Sequence, residues 1–94
     1  MKYSIITYNL NNEANIVSHL SSLININYND YEIILVDDNS NDQSLKNVYD
    51  KLTIRNNIKI IRGNSNEGVF NCLNIGIKES RGDFILFTNS NIIL

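Results

Sequence analysis

Proline and tryptophan are absent from this 94-residue sequence, and cysteine, methionine and histidine occur once each. The lone Cys72 excludes an internal disulfide and fits a reducing compartment. One histidine and one cysteine cannot assemble a His/Cys metal centre. Eight basic residues stand against ten acidic ones, for a net charge of −2, and no basic run occurs. The electrostatic footprint of a nucleic-acid partner is therefore missing. No apolar run approaches the roughly 18 residues of a membrane helix, and the N-terminus has no signal-peptide pattern. The expectation is a soluble, cytoplasmic protein with no membrane segment. The lack of proline, beside abundant asparagine and isoleucine, reads as coding bias of an AT-rich genome.

What is present is a globular composition, 43% hydrophobic and 19% charged. A chain of this length buries roughly 60–68% of its unfolded surface, enough for one modest core. A single domain over residues 1–94 is expected, without internal repeat or linker. Residues 3–8, 32–36, 58–61 and 84–87 are short apolar runs bounded by polar stretches, and read as strands. Between them, apolar residues recur at helical spacing: Ile16, Val17, Leu20, Leu23 and Ile24, then Leu45, Val48, Tyr49 and Leu52, then Val69, Cys72, Leu73, Gly76 and Ile77. Asn11 or Asn12 is a candidate cap for the first helix. Ser40 with Gln43 is a capping-box pattern for the second, and Gly82 stands where a C-cap glycine belongs.

The order β-α-β-α-β-α-β with continuous apolar strands predicts an α/β fold, a Rossmann-like three-layer sandwich. Its four-stranded parallel sheet is covered on both faces, and right-handed crossovers restrict its strand order to a few options, of which 3-2-1-4 is the one adopted here. Ligands of such sheets bind beyond the carboxyl ends of the strands, where strand order reverses. Three loops meet that description: "TYNLNN", "DDNSND" and "TNSN".

No Gly-x-Gly-x-x-Gly follows the first strand, so a dinucleotide site is excluded, and a P-loop with it. A phosphoacceptor domain needs paired acids after the first strand, whereas Asp37 and Asp38 follow the second. His19 lies beside the first apolar stripe and reads as a partly exposed helix residue, which leaves a hydrolase triad unsupported. Tyr28, Tyr31 and Phe70 read as packing residues. Asp37 and Asp38 carry two readings. A carboxylate after a buried strand accepts hydrogen bonds from ribose hydroxyls or a base N–H. Alternatively, one of them helps cap the second helix with Ser40 and Asn41.

The residues resemble a known family over nearly the whole chain. "YSIITYN", "YEIILVDDNSNDQS", "NSNEGVFNCLNIGIKES" and "RGDFILF" are similar, in order and spacing, to segments of the N-terminal, nucleotide-binding half of family 2 glycosyltransferases with the GT-A fold. Ile6 departs from the pattern where that family often has proline. The resemblance implies a partner of the nucleotide-diphosphate-sugar class, of UDP type. Thr7, Tyr8 and Asn9 take the turn against base and ribose. Asp38 takes the position whose carboxylate meets a pyrimidine N–H, with Asp37 beside it, and Asn66 and Gly68 open the helix near the diphosphate.

The resemblance also implies an Asp-x-Asp motif at the end of the fourth strand, whose last acid binds Mg²⁺ or Mn²⁺. Here the positions read Asn89, Ser90 and Asn91, so Asn91 stands in the metal-ligand place. An amide coordinates without charge. One unit charge at 4 Å is worth about 4 kcal/mol at an effective dielectric near 20, before desolvation takes part of it back. A weak metal site at most is expected. Both asparagines also read simply as polar residues closing a strand. The family's acceptor site and catalytic base lie beyond this strand, so no catalytic residue is assigned and the chain alone is expected not to catalyse transfer. The fourth strand is expected to be an open edge suited to a homodimer or partner chain. That leaves two alternatives: a non-catalytic interaction module, and a minimal transferase completed by a partner.

Overall fold

The computed structural model describes residues 2–26, 30–52, 57–63 and 68–90. The element order is β1 (Tyr3–Asn9), α1 (Ile16–Ile24), β2 (Tyr31–Asp37), α2 (Ser44–Lys51), β3 (Ile58–Arg62), α3 (Val69–Glu79) and β4 (Phe84–Asn89). All strand pairs are parallel and the sheet order is β3-β2-β1-β4. The expected architecture and topology are therefore the observed ones. No helix among the described residues is long and apolar enough to cross a membrane.

Every residue of the central strand β2 is buried. Side chains alternate across a strand, so each strand feeds two cores. Ile5, Ile33 and Leu35 pack with Ile16, Leu20, Leu23 and Val48 beneath α1 and α2. Ile6, Ile34 and Val36 pack with Cys72 beneath α3. Each such aliphatic side chain is worth roughly 1.5–3 kcal/mol when fully buried. Gly76 lets α3 lie close on β1: a Cβ there would stand 2.5 Å from Ile6 Cγ2. Tyr31 packs as expected and its hydroxyl donates to the Leu23 and Ile24 carbonyls, closing the C-terminal end of α1.

Several local expectations are corrected. Strands β1, β2 and β4 run on through Asn9, Asp37 and Asn89, because the ladder continues past the apolar residues. Neither Asn11 nor Asn12 caps α1; Asn15 precedes the helix and makes no side-chain cap bond, while the Asn12 carbonyl accepts from the Asn15 and Ile16 amides. The Ser40–Gln43 capping box does not form. Asp42 Oδ1 instead accepts from the Ser44 amide at 2.9 Å, since Ser40 is drawn inward by Asp37. Gly82 is not the residue that ends α3, which closes at Ser80. Its role is close approach: an added Cβ would lie 2.6 Å from the Ser4 backbone nitrogen.

His19 is not partly exposed but fully buried, held by hydroxyls from two strands. Phe70 does not pack, being 79% exposed, and Tyr49 is 58% exposed; Tyr28 lies outside the described residues. The sheet is not covered on both faces throughout. Phe84, Ile85, Leu86 and Phe87 are all exposed, although successive residues point to opposite sides.

Candidate functional site

The carboxyl ends of β1, β2 and β4 form one rim, with Asn9 beside Asp37 and Tyr8 beside Asn89 in the register. The loops after β1 and β2 are stitched together by their own side chains. The Asn11 amide donates to Ser40 Oγ, the Asn41 amide to Asn11 Oδ1, and the Glu13 amide to Asp42 Oδ2. The last interaction lowers the Asp42 pKa along with hydrogen bonds from Ser44, against the opposing effect of burial. Asn11 and Asn39 adopt left-handed backbone angles, φ 49° and 59°. Asparagine tolerates that region better than most side chains.

Strand alternation divides the candidate residues into two groups. Thr7, Asn9 and Asp37 point to the α1/α2 side and are fully buried. Asp37 Oδ1 accepts from Asn9 Nδ2 at 2.8 Å and from Ser40 Oγ at 2.7 Å, and Oδ2 accepts from the Ser40 amide at 2.8 Å. The carboxylate fixes the orientation of the Asn9 amide, which leaves Asn9 Oδ1 a buried acceptor without a donor among the described residues. Thr7 Oγ1 lies 3.0 Å from Thr88 Oγ1 and 3.3 Å from His19 Nε2.

Tyr8, Asp38, Gly68 and Asn89 form the second group, on the α3 side. The Asp38 amide donates to the Asn9 carbonyl at 2.8 Å, which anchors its backbone to β1. Asp38 Oδ2 accepts from the Tyr8 hydroxyl and from the Gly68 amide, both at 3.0 Å. Gly68 precedes α3, so the carboxylate sits at the positive end of that helix dipole. Gly68 has φ 91° with open space around its would-be Cβ, so conformation rather than crowding calls for glycine there. Burial, the hydrogen bond to Asp38 and the Asp38 charge push the Tyr8 phenol up to about 12. Asn89 is part-buried beside Tyr8.

Asn66 and Asn91 lie outside the described residues. Among the described residues no group of three His, Cys, Asp or Glu side chains is placed to hold a metal. Asn89 and Ser90 offer an amide and a hydroxyl, and Ser90 Oγ already accepts from Asn12 Nδ2 at 3.0 Å. Such neutral donors do not fit a hard dication held mainly by carboxylates. Sequence reasoning placed Asn12, Thr88 and Ser90 in the rim loops without giving them partners there, and it missed His19. Alternation along "TYN" and "FTN" could have paired Thr7 with Thr88; no local signal pointed to His19.

A family model described as glycosyl transferase family 2 matches residues 4–91. The chain is 32% identical over 94 residues to the poly(ribitol-phosphate) beta-N-acetylglucosaminyltransferase TarS of Staphylococcus aureus, covering 97% of this chain and 16% of the relative. The crystal structure of S. aureus TarS 1–349 in complex with UDP-GlcNAc superposes with a TM-score of 0.86 at 33% identity, covering 97% of this chain and 27% of that one. The mannosyltransferase PcManGT of Pyrobaculum calidifontis, in complex with GDP-Man and Mn²⁺, superposes with a TM-score of 0.87 at 17% identity, over 96% of this chain and 27% of that one. These structural neighbours are GT-A glycosyltransferases. The chain thus spans a small part, 16%, of the TarS sequence it matches.

Proposed function

The chain belongs to glycosyl transferase family 2, and from that premise we propose that it binds a nucleotide-diphosphate sugar of UDP type at the rim made by Tyr8, Asp38, Gly68 and Asn89. The observation that carries the reading is Asp38, whose carboxylate ties β1 and β2 to the start of α3. A carboxylate has lone-pair sites for about four donors, and the Tyr8 hydroxyl and Gly68 amide take two on Oδ2. Asp38 is only 1% exposed, so an incoming base exchanges its imide N–H for the Tyr8 hydroxyl. Donors are conserved in that exchange, and the freed Tyr8 ring lies against the base. The α3 N-terminus at Gly68 offers backbone N–H groups to the diphosphate, and Asn66, two residues earlier in the sequence, is proposed to act beside it. Thr7, Asn9 and Asp37 act from beneath, by holding the loops. TarS in complex with UDP and with UDP-GlcNAc supports the choice of nucleotide.

The proposal extends to metal and catalysis. Asn89, Ser90 and Asn91 bind Mg²⁺ or Mn²⁺ weakly at best, and the amides of Asn89 and Asn91 address ribose or phosphate directly. The isolated chain does not transfer sugar alone, and it works in the cytoplasm. Calorimetric titration with UDP and UDP-GlcNAc, with and without Mn²⁺, tests this. Millimolar or tighter binding that is lost in Asp38→Asn is the expected result. Binding unaffected by Asp38→Asn rejects the anchor, and metal-dependent turnover rejects the reading of Asn89–Asn91.

A second reading is favoured by β4, whose residues Phe84, Ile85, Leu86 and Phe87 are exposed. An apolar strand bare on both faces and paired, among the described residues, with β1 alone is a template for a second chain. On this reading the protein is an interaction module, or a minimal transferase completed by a partner that pairs with β4. No UDP binding together with concentration-dependent self-association would favour it.

A further inference from the structure

We propose that His19 is a positioning residue for the nucleotide site, acting through Thr7 and Thr88 to hold the polar tip of β4 against β1. The imidazole is fully buried. Its Nε2 lies 3.3 Å from Thr7 Oγ1 and 3.1 Å from Thr88 Oγ1, and the two hydroxyls are 3.0 Å apart. The three groups close a triangle that joins α1, β1 and β4. Hydroxyls rotate, so Nε2 is satisfied in either tautomer: Nε2–H donates to a threonine, or Nε2 accepts from one.

Packing alone does not account for a histidine here. The α1 side of the sheet is filled by Ile16, Leu20 and Leu23, and an aliphatic residue at position 19 would continue that face without burying a polar ring. What the imidazole adds is a tie to β4. That strand needs one, because its apolar residues are exposed and, among the described residues, β1 is its partner in the sheet. Thr88 is followed directly by Asn89 and Ser90. Other holds on this tip are also polar: Asn12 Nδ2 donates to Ser90 Oγ, and the Ser90 amide donates to the Tyr8 carbonyl, both at 3.0 Å. Loosening Thr88 therefore shifts Asn89 relative to Tyr8, its neighbour in the register. A strand residue advances the chain by about 3.3 Å, so the tie acts one residue from the proposed ligand contact.

The inference rests on the nucleotide reading for its purpose, and the test separates the two. His19→Leu removes the hydrogen bonds while filling most of the space. His19→Gln puts an amide near the place of Nε2. Thr88→Val removes one hydroxyl from a partly exposed strand and keeps the fold if His19→Leu does not. The readouts are amide hydrogen exchange in the free protein and UDP affinity. In His19→Leu and Thr88→Val the Ser90 amide exchanges about 3- to 10-fold faster relative to the β2 amides, as expected for loss of one buried hydrogen bond. UDP affinity falls by a similar factor. His19→Gln restores both to within about twofold on the same arithmetic. Unchanged Ser90 exchange, acceleration spread evenly over the sheet, or a glutamine variant as poor as leucine each overturns the inference. If the wild-type chain binds no UDP, the nucleotide reading fails and the exchange data alone decide whether His19 positions the tip.

Discussion

Replacing Asp37 with alanine tests the division of the acidic pair into one internal strut and one ligand anchor. The carboxylate is fully buried and accepts three hydrogen bonds, at 2.8, 2.7 and 2.8 Å. Hydrogen bonds to a charged group are worth roughly 1.5–3 kcal/mol each. Removing a buried charge recovers part of that, because its desolvation cost disappears. The Ser40 amide is left without its acceptor, which adds about 1–3 kcal/mol. The balance is a loss of about 3 kcal/mol or more, large against the roughly 5–15 kcal/mol stability of a typical domain. For a chain this size that lowers the melting temperature by roughly 12–24 °C. Urea unfolding followed by far-ultraviolet circular dichroism reads it as a lower midpoint. An Asp37→Ala protein within about 0.5 kcal/mol of wild type, the range of ordinary surface changes, would refute the strut. So would a variant that stays equally stable but loses UDP.

Three further outcomes are expected. Tyr8→Phe removes the donor that the base must displace, so UDP binds about fivefold tighter for one hydrogen bond of about 1 kcal/mol; weaker binding in calorimetry would reject the exchange. The raised Tyr8 pKa carries a sign: the phenol is protonated in both states below pH 10, so its contribution is intact there and is lost as pH rises toward about 12. Stability of the wild type should therefore decline over that alkaline interval more than that of Tyr8→Phe, as read by urea midpoints at each pH. Gly82→Ala forces a Cβ to within 2.6 Å of the Ser4 nitrogen and strains the bond from the Gly82 amide to Ser4 Oγ. A loss of about 1–3 kcal/mol follows, as for other overpacked sites, and an unchanged unfolding midpoint would contradict it.

The four strands and the alternation of helices were legible because each signal is local. A run of aliphatics such as "EIILV" has one comfortable conformation when buried on both sides. General chirality rules narrowed the strand order to a few options, 3-2-1-4 among them, and the pairing of β1 with β4 chose it. The helix starts were not legible. Ser40, Asn11 and Asn12 are all good caps in isolation, but Ser40 turned to Asp37 three residues before it, and Asn11 and Asn12 found partners across the rim in Asn41 and Ser90. The asparagine excess, read as genome bias, includes residues with specific work. Asn11 and Asn39 accept left-handed backbone angles, and Asn9 locks Asp37.

The amino-acid order alone determined that this chain forms a parallel α/β sheet and that polar loops gather at the carboxyl ends of its strands. Both follow from hydrophobic period and run length, which act over a few neighbours. Tertiary structure decided which partners each member of those loops takes and on which side of the sheet. Asp37 and Asp38 are adjacent and chemically identical, yet one is enclosed by Asn9 and Ser40 and the other joins Tyr8 to Gly68. His19 likewise became a link between strands only when residues 7 and 88 were brought side by side. Such roles depend on partners distant in the chain, and only the register of the sheet supplies them.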